Sequence, residues 1–197
     1  MDLIPLLDEI RSCKTCKGLL PFDPKPVVQA SSNAKLLIVG QAPGTKVQAS
    51  GIPWDDASGK RLRSWLQIEP VDFYDPEKIA IAPMGFCYPG KGKSGDLPPR
   101  KECAPQWHPS LFDALPNIEM ILLIGNYSQQ YYLADTEFGK ANKTLTEKVQ
   151  NQPECPAPFF PLPHPSPRNQ IWFKKHPWFE RQTIPALRAN LKQLFTV

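Results

Sequence analysis

The sequence predicts an α/β fold, a three-layer, doubly wound and mainly parallel four-stranded sheet with helices on both faces. Three observations predict it. Short continuous apolar runs recur along the chain, as strands buried on both faces require. Segments with apolar residues at helical spacing separate them. Each run then stops at a residue suited to a loop or a site: Gln41, Pro83, Asn126 and His164 all follow expected strand ends. In such a sheet, ligands bind at the carboxyl ends of the strands.

The elements follow in order. Leu3, Leu6, Leu7 and Ile10 share one face of a short amphipathic helix over residues 3–11. It leads into a cysteine turn, Ser12-Cys13-Lys14-Thr15-Cys16-Lys17-Gly18, after which Pro21, Pro24 and Pro26 keep the chain extended. Residues 35–40 carry the first strand, which ends in Gln41-Ala42-Pro43-Gly44. Leu62, Trp65 and Leu66 mark a helix over residues 58–67, and Ile79-Ala80-Ile81-Ala82 is the second strand. Residues 85–101 form a basic loop, rich in glycine and proline, with no hydrophobic periodicity; a loop of that length is functional or held by something. Residues 118–124 are the clearest strand, 127–133 the helix after it, and 158–162 a shorter strand. A final amphipathic helix is expected over residues 177–195, interrupted by Pro185.

Composition narrows the function classes. A chain of 197 residues with 41% hydrophobic residues can bury one sizeable core, and one domain over residues 1–197 is expected. Twenty-four prolines against eleven glycines imply many fixed loops and few long helices. No apolar run approaches the roughly 20 residues a bilayer needs, and the first residues lack a basic leader and a cleavage site. A cytoplasmic protein without membrane contact is therefore expected. Five cysteines in such a chain argue for metal or redox chemistry over a disulfide framework. A net charge of +4 permits a polyanionic partner.

Two loops carry the chemistry. In His164-Pro165-Ser166-Pro167-Arg168-Asn169, the prolines at 163, 165 and 167 keep the segment out of helix and sheet, holding His164, Ser166 and Arg168 on a stiff frame. Together with Gly40-Gln41-Ala42-Pro43-Gly44, this loop resembles the uracil-DNA glycosylase superfamily in order and placement, over nearly the whole chain. The resemblance implies a glycosylase-like sheet and a monomeric DNA glycosylase of base-excision repair. It makes His164 the donor that stabilises the departing base as an anion. It places Ser166 against the phosphate backbone and Arg168 as the wedge in the base stack. Gly40, Gln41 and Ala42 become part of the base pocket. The basic, aromatic stretch over residues 172–179 reads as the cap of the final helix, with Lys174 and Lys175 toward DNA, or equally as a solvated, partly packed helix entrance.

The first loop departs from the family pattern, because neither Gln41 nor Ala42 is an acid. The segment Gly51-Ile52-Pro53-Trp54-Asp55-Asp56-Ala57-Ser58 resembles one in which another branch keeps an aspartate before Ala-Ser, so Asp56 is the expected catalytic carboxylate. It is equally suited to cap the following helix. By the same resemblance Trp54 stacks on the extruded base; a packed core tryptophan is the alternative. Pro83 stands where the family's iron-sulfur branch reads the base with asparagine, which shifts recognition to backbone groups near Met84 and Gly85 or to Asn126.

Cys13 and Cys16 form C-x₂-C, and Cys87 and Cys103 form C-x₁₅-C. These spacings resemble the four ligands of the [4Fe-4S] cluster in the same family 4-like branch. Four thiolates suit tetrahedral zinc as well, and unligated core thiols are the third possibility. Basic residues crowd the set, from Lys14 and Lys17 to Lys91, Lys93, Arg100 and Lys101. Two other classes compete: a family member that binds damaged or single-stranded DNA without turnover, and a small-molecule enzyme on a similar sheet. The latter needs a phosphate-cradling loop, and residues 40–44 lack its lysine and length.

Overall fold

The computed structural model describes residues 2–93 and 95–195. The element order is α1 (Leu3–Ser12), β1 (Leu36–Val39), α2 (Thr45–Ser50), α3 (Ala57–Leu66), α4 (Pro70–Phe73) and β2 (Ile79–Ile81), then the short strands β3 (Lys91–Gly92) and β4 (Gly95–Asp96). It continues with α5 (Cys103–Asp113), β5 (Met120–Ile124), α6 (Asn126–Leu133), α7 (Glu137–Ala141), α8 (Leu145–Gln150), β6 (Phe159–Leu162), α9 (Gln170–Lys175) and α10 (Ile184–Phe195).

β1, β2, β5 and β6 form one parallel sheet in the order β2-β1-β5-β6. Neighbours of β1 lie on both sides of it, so the strand order reverses there and the crevice for a ligand opens above the ends of the central strands. Strand alternation sends successive side chains to opposite faces. Leu36, Ile38, Ile79, Ile81, Leu122 and Ile124 join Leu62 and Leu66 of α3 and Leu187 and Leu191 of α10. Leu37, Val39, Ala80, Ile121 and Leu123 join Leu6, Leu7 and Ile10 of α1 and Leu111 of α5. The sheet is thus covered on both faces, as the apolar runs predict. Each fully buried leucine or isoleucine contributes about 1.5–3 kcal/mol, which fixes the strand ends firmly under the loops.

The sheet edges are also managed. Pro161 is tolerated because β6 is an edge strand, where a missing N–H breaks no second ladder. On the other edge Gln29 and Ile81 exchange backbone hydrogen bonds of 3.1 and 2.7 Å, so an extended segment covers β2.

Two expectations are corrected. The helix expected over residues 177–195 is split into a π-helical turn, Phe179–Thr183, and α10, with Pro185 in its first turn, where the absent N–H costs nothing. The aromatic stretch before it does not cap that helix. It forms α9, whose Trp172 and Phe173 pack on Phe179. The basic loop, which has no hydrophobic periodicity, carries at its tip the β3-β4 hairpin, with Lys91 opposite Asp96 and Gly92 opposite Gly95.

Candidate active site

A cavity of about 610 Å³ opens at the carboxyl ends of the strands, where the fold predicts it. The loop after β1 brings Gly40, Gln41, Ala42 and Gly44. The approach to α3 brings Trp54, Asp56 and Ser58, and the loop after β6 brings His164, Ser166 and Arg168. The two proline-stiffened tips therefore converge on one space. Trp54 and His164 lie side by side, with ring centroids 5.6 Å apart and planes tilted by 33°.

Trp54 is placed at a backbone cost. Its φ is +58°, a left-handed conformation that tryptophan rarely adopts and that costs on the order of 1–3 kcal/mol. The Trp54 carbonyl is held by Arg63 Nη1 at 3.3 Å and by the Tyr74 hydroxyl at 3.4 Å, and these two donors bond each other. Its indole lies close to Gly40, where a Cβ would come within 2.8 Å of Cζ2. Gly40 is thus required by the aromatic wall, not by its own dihedrals.

His164 has a defined tautomer. The Ser166 N–H donates to Nδ1 at 3.2 Å, so Nδ1 accepts and the proton resides on Nε2. The Asn169 amide clamps the His164 carbonyl at 2.8 Å, and Arg61 reaches the Ser166 carbonyl at 3.4 Å, which ties the loop to α3. Burial pushes the imidazole pKa below its ordinary value, against the opposing pull of Asp56 and Asp96. The ring is therefore a neutral donor near pH 7.

Asp56 takes the cap position expected of it and also faces the cavity. Its Oδ1 caps α3 by accepting from Gly59 N at 2.8 Å, and the residue lines the cavity. Its Oδ2 lies 3.9 Å from where a Gly44 Cβ would sit, and Asp96 Oδ2 lies 3.8 Å from the same point. Asp96 is a residue that sequence reasoning missed. It stands at the end of β4 and also lines the cavity.

Met84 and Asn126 are not brought to the cavity. The Met84 side chain is buried in the core, and its N–H donates to the Gly40 carbonyl at 2.9 Å. The Gly85 N–H donates to the Gln41 carbonyl at 3.0 Å, so both backbone donors are occupied in holding the first loop. Asn126 is exposed at the start of α6, where the helical phase turns its neighbour Tyr127 onto the cavity instead. Pro83 does line it, and its carbonyl accepts from His108 Nε2 at 3.1 Å. His108 is buried in a cluster with Phe112 and Tyr132 and bonds the Tyr132 hydroxyl through Nδ1.

The remaining expected contacts lie on the rim. Ser166 Oγ accepts from Arg168 N at 3.2 Å, and Arg168 is exposed with its guanidinium resting on Gly95, where a Cβ would collide with it. Lys174 and Lys175 are exposed in the last turn of α9, outside the cavity lining.

Cys13, Cys16, Cys87 and Cys103 line a second, tight cavity of about 10 Å³ with Ile10, Phe86 and Trp107. Cys155 lies elsewhere, packed against the α1-α5 core. Burial, together with the other three thiols, pushes Cys87 up to about 12 despite a hydrogen bond from the Lys25 backbone, and Cys103 is raised for similar reasons. Among the described residues no group of three or more His, Cys, Asp or Glu side chains stands so that it could hold a metal ion. The four thiols nevertheless share one nest. Four adjacent thiols in an apolar nest stay protonated until a cation compensates the charge of their thiolates.

Comparison with known proteins agrees with this geometry. A Type-4 uracil-DNA glycosylase of Saccharolobus solfataricus is 27% identical over 133 residues, covering 66% of this chain and 59% of that protein. One from Sulfurisphaera tokodaii is 26% identical over 131 residues, covering 66% of this chain and 57% of that protein. The match thus spans less than two thirds of the length of these curated relatives. The family model of the uracil DNA glycosylase superfamily matches residues 27–188, from the segment that edges β2 into α10 and through both loops that wall the cavity; the chain belongs to that superfamily.

Proposed function

We propose that this chain is a monofunctional DNA glycosylase of base-excision repair, one domain acting as a monomer, which extrudes a deaminated base, uracil foremost, and hydrolyses its N-glycosidic bond. The observation that carries the reading is the neutral, Nε2-protonated His164 beside the Trp54 face in one cavity with a carboxylate. Stacking on Trp54 contributes about 1–3 kcal/mol without reading base identity. Flipping costs a few kcal/mol, which backbone contacts by Ser166, Arg168, Lys174 and Lys175 offset. As the glycosidic bond breaks, the electron pair leaves with the base, and the Nε2–H of His164 donates to the oxygen where that charge collects. Such a donor in a water-poor site is worth about 3 kcal/mol. Asp56, held by its cap, stabilises the positive sugar with its second oxygen.

Cys13, Cys16, Cys87 and Cys103 are the ligands for a [4Fe-4S] cluster in this reading, with zinc as the alternative metal. The group supplies structure, pinning the loop between Cys87 and Cys103 against the amino-terminal turn. Five free cysteines suit the reducing cytoplasm. No helix among the described residues is long and apolar enough to cross a membrane.

A uracil-containing duplex incubated with the protein and then treated with alkali tests the reading: strand scission at the uracil is expected. Scission on none of uracil, hypoxanthine or xanthine duplexes, with tight salt-sensitive binding retained, favours the second reading, a DNA-binding member without turnover. Gln41 and Ala42, non-acidic in the cavity wall, are the observation behind it.

A further inference from the structure

We propose that Asp96 is a catalytic residue of this site, the general base that takes the proton of the attacking water. The inference rests on the glycosylase reading above and extends it to a residue outside both loops that carry the family resemblance.

Asp96 lines the same cavity as His164 and Asp56, and both carboxylates reach the His164 ring electrostatically. Their Oδ2 atoms flank one spot beside Gly44, at 3.8 and 3.9 Å from the position of an absent Cβ. The two acids differ in what remains free. Asp56 has Oδ1 committed to the Gly59 N–H and presents one oxygen. Asp96 is exposed and, among the described residues, neither of its oxygens is in a hydrogen bond or ion pair. A general base needs an unoccupied lone pair facing the space that the water enters, and Asp96 offers one on the cavity wall.

The hairpin holds that carboxylate in place. Lys91 pairs with Asp96 across β3 and β4, and the Leu97 N–H donates to the Gly90 carbonyl at 2.8 Å. The Arg168 guanidinium lies on Gly95, so the loop that meets the DNA backbone touches the strand that carries Asp96. Cys87 and Cys103 bracket the same stretch of chain.

The step balances without a co-reactant. The water oxygen forms a bond to C1′ as the C1′–N bond breaks, and the electron pair departs on the base, where the His164 Nε2–H donates to it. The water proton passes to the Asp96 carboxylate and then to solvent. The base anion takes a proton from solvent.

Single-turnover base release, measured beside DNA affinity on whichever deaminated duplex the parent cleaves, tests the assignment. Asp96→Asn is expected to slow release about 100-fold or more while affinity and melting temperature stay at parental values, and Asp96→Glu to recover part of the rate. Gly44→Ala, which places a methyl between the two carboxylates at ordinary contact distance, is expected to slow release without unfolding the protein. A parental rate in Asp96→Asn overturns the role of Asp96 and leaves the glycosylase reading standing. A parent that releases no base from any substrate overturns both.

Discussion

The stretch from residue 83 to 103 passes through both notable regions of the molecule and contrasts them. Pro83, Gly95 and Asp96 face the cavity at the strand ends, while Cys87 and Cys103 face the cysteine nest. The cavity is open, about 610 Å³, and among the described residues the Asp96 carboxylate on its wall has no hydrogen-bond or ion-pair partner. The nest encloses about 10 Å³ and is walled by Ile10, Phe86 and Trp107. Groups left free to act cost little in the first, because water solvates them until a ligand arrives. Thiols crowded in the second stay protonated, because burial opposes the thiolate. The difference teaches that one loop is packed among apolar groups at its ends and lies open to a cavity at its tip. Damage to the cavity is expected to change rates, and damage to the nest to change stability.

The largest expected effect is on rate. His164→Ala is expected to lower single-turnover base release about 100- to 1000-fold with little loss of DNA affinity, since the lost donor acts where charge develops. Equal losses of rate and affinity would assign the imidazole to binding. On the other side of the comparison, Cys87→Ser is expected to abolish bound iron and lower the melting temperature while residual base release survives. Full iron content in that variant, read by absorbance and elemental analysis, would remove Cys87 from the ligand set.

A pH effect of about 3 kcal/mol is expected on stability. Burial depresses the His108 pKa from 6.5 to about 4. Between those values the unfolded chain binds a proton that the native chain refuses, so the native state is favoured above about 6.5 and loses that stability as pH falls toward 4. Urea midpoints at pH 7.5 and 4.5 check this, and His108→Gln is expected to flatten the difference. Asp56 separates the two kinds of damage within one residue. Asp56→Asn keeps a side-chain cap and is expected to slow base release alone, whereas Asp56→Ala also costs about 1 kcal/mol in denaturation. The smallest effect is expected at the rim. Lys174→Ala with Lys175→Ala should weaken DNA binding on all sequences and lower the salt slope of log affinity by about two.

The sheet was legible because its strands are buried on both faces, which leaves unbroken apolar runs such as 118–124, and because Gln41, Pro83 and His164 punctuate their ends. The pairing of Trp54 with His164 was legible only through the family resemblance, since residues far apart in sequence carry no local signal of contact. Asp96 was not legible. It sits in a basic loop whose tip has two residue pairs, too short for an alternating pattern. Met84 and Asn126 failed for different reasons. The Met84 N–H is spent on Gly40, a tertiary contact, and Asn126 is one helical position away from Tyr127, a matter of phase that boundary reading cannot fix. The break between α9 and α10 follows from aromatic packing of Trp172 and Phe173 on Phe179, which overrides the amphipathic pattern.

The most direct measurement is chromatographic detection of free base after mixing the protein with duplexes containing uracil, hypoxanthine or xanthine, beside the same reaction with His164→Ala. Release of one of these bases in step with abasic sites, slowed about 100-fold or more in the variant, is the predicted result. Tight DNA binding with no free base from any of the three duplexes would contradict the account.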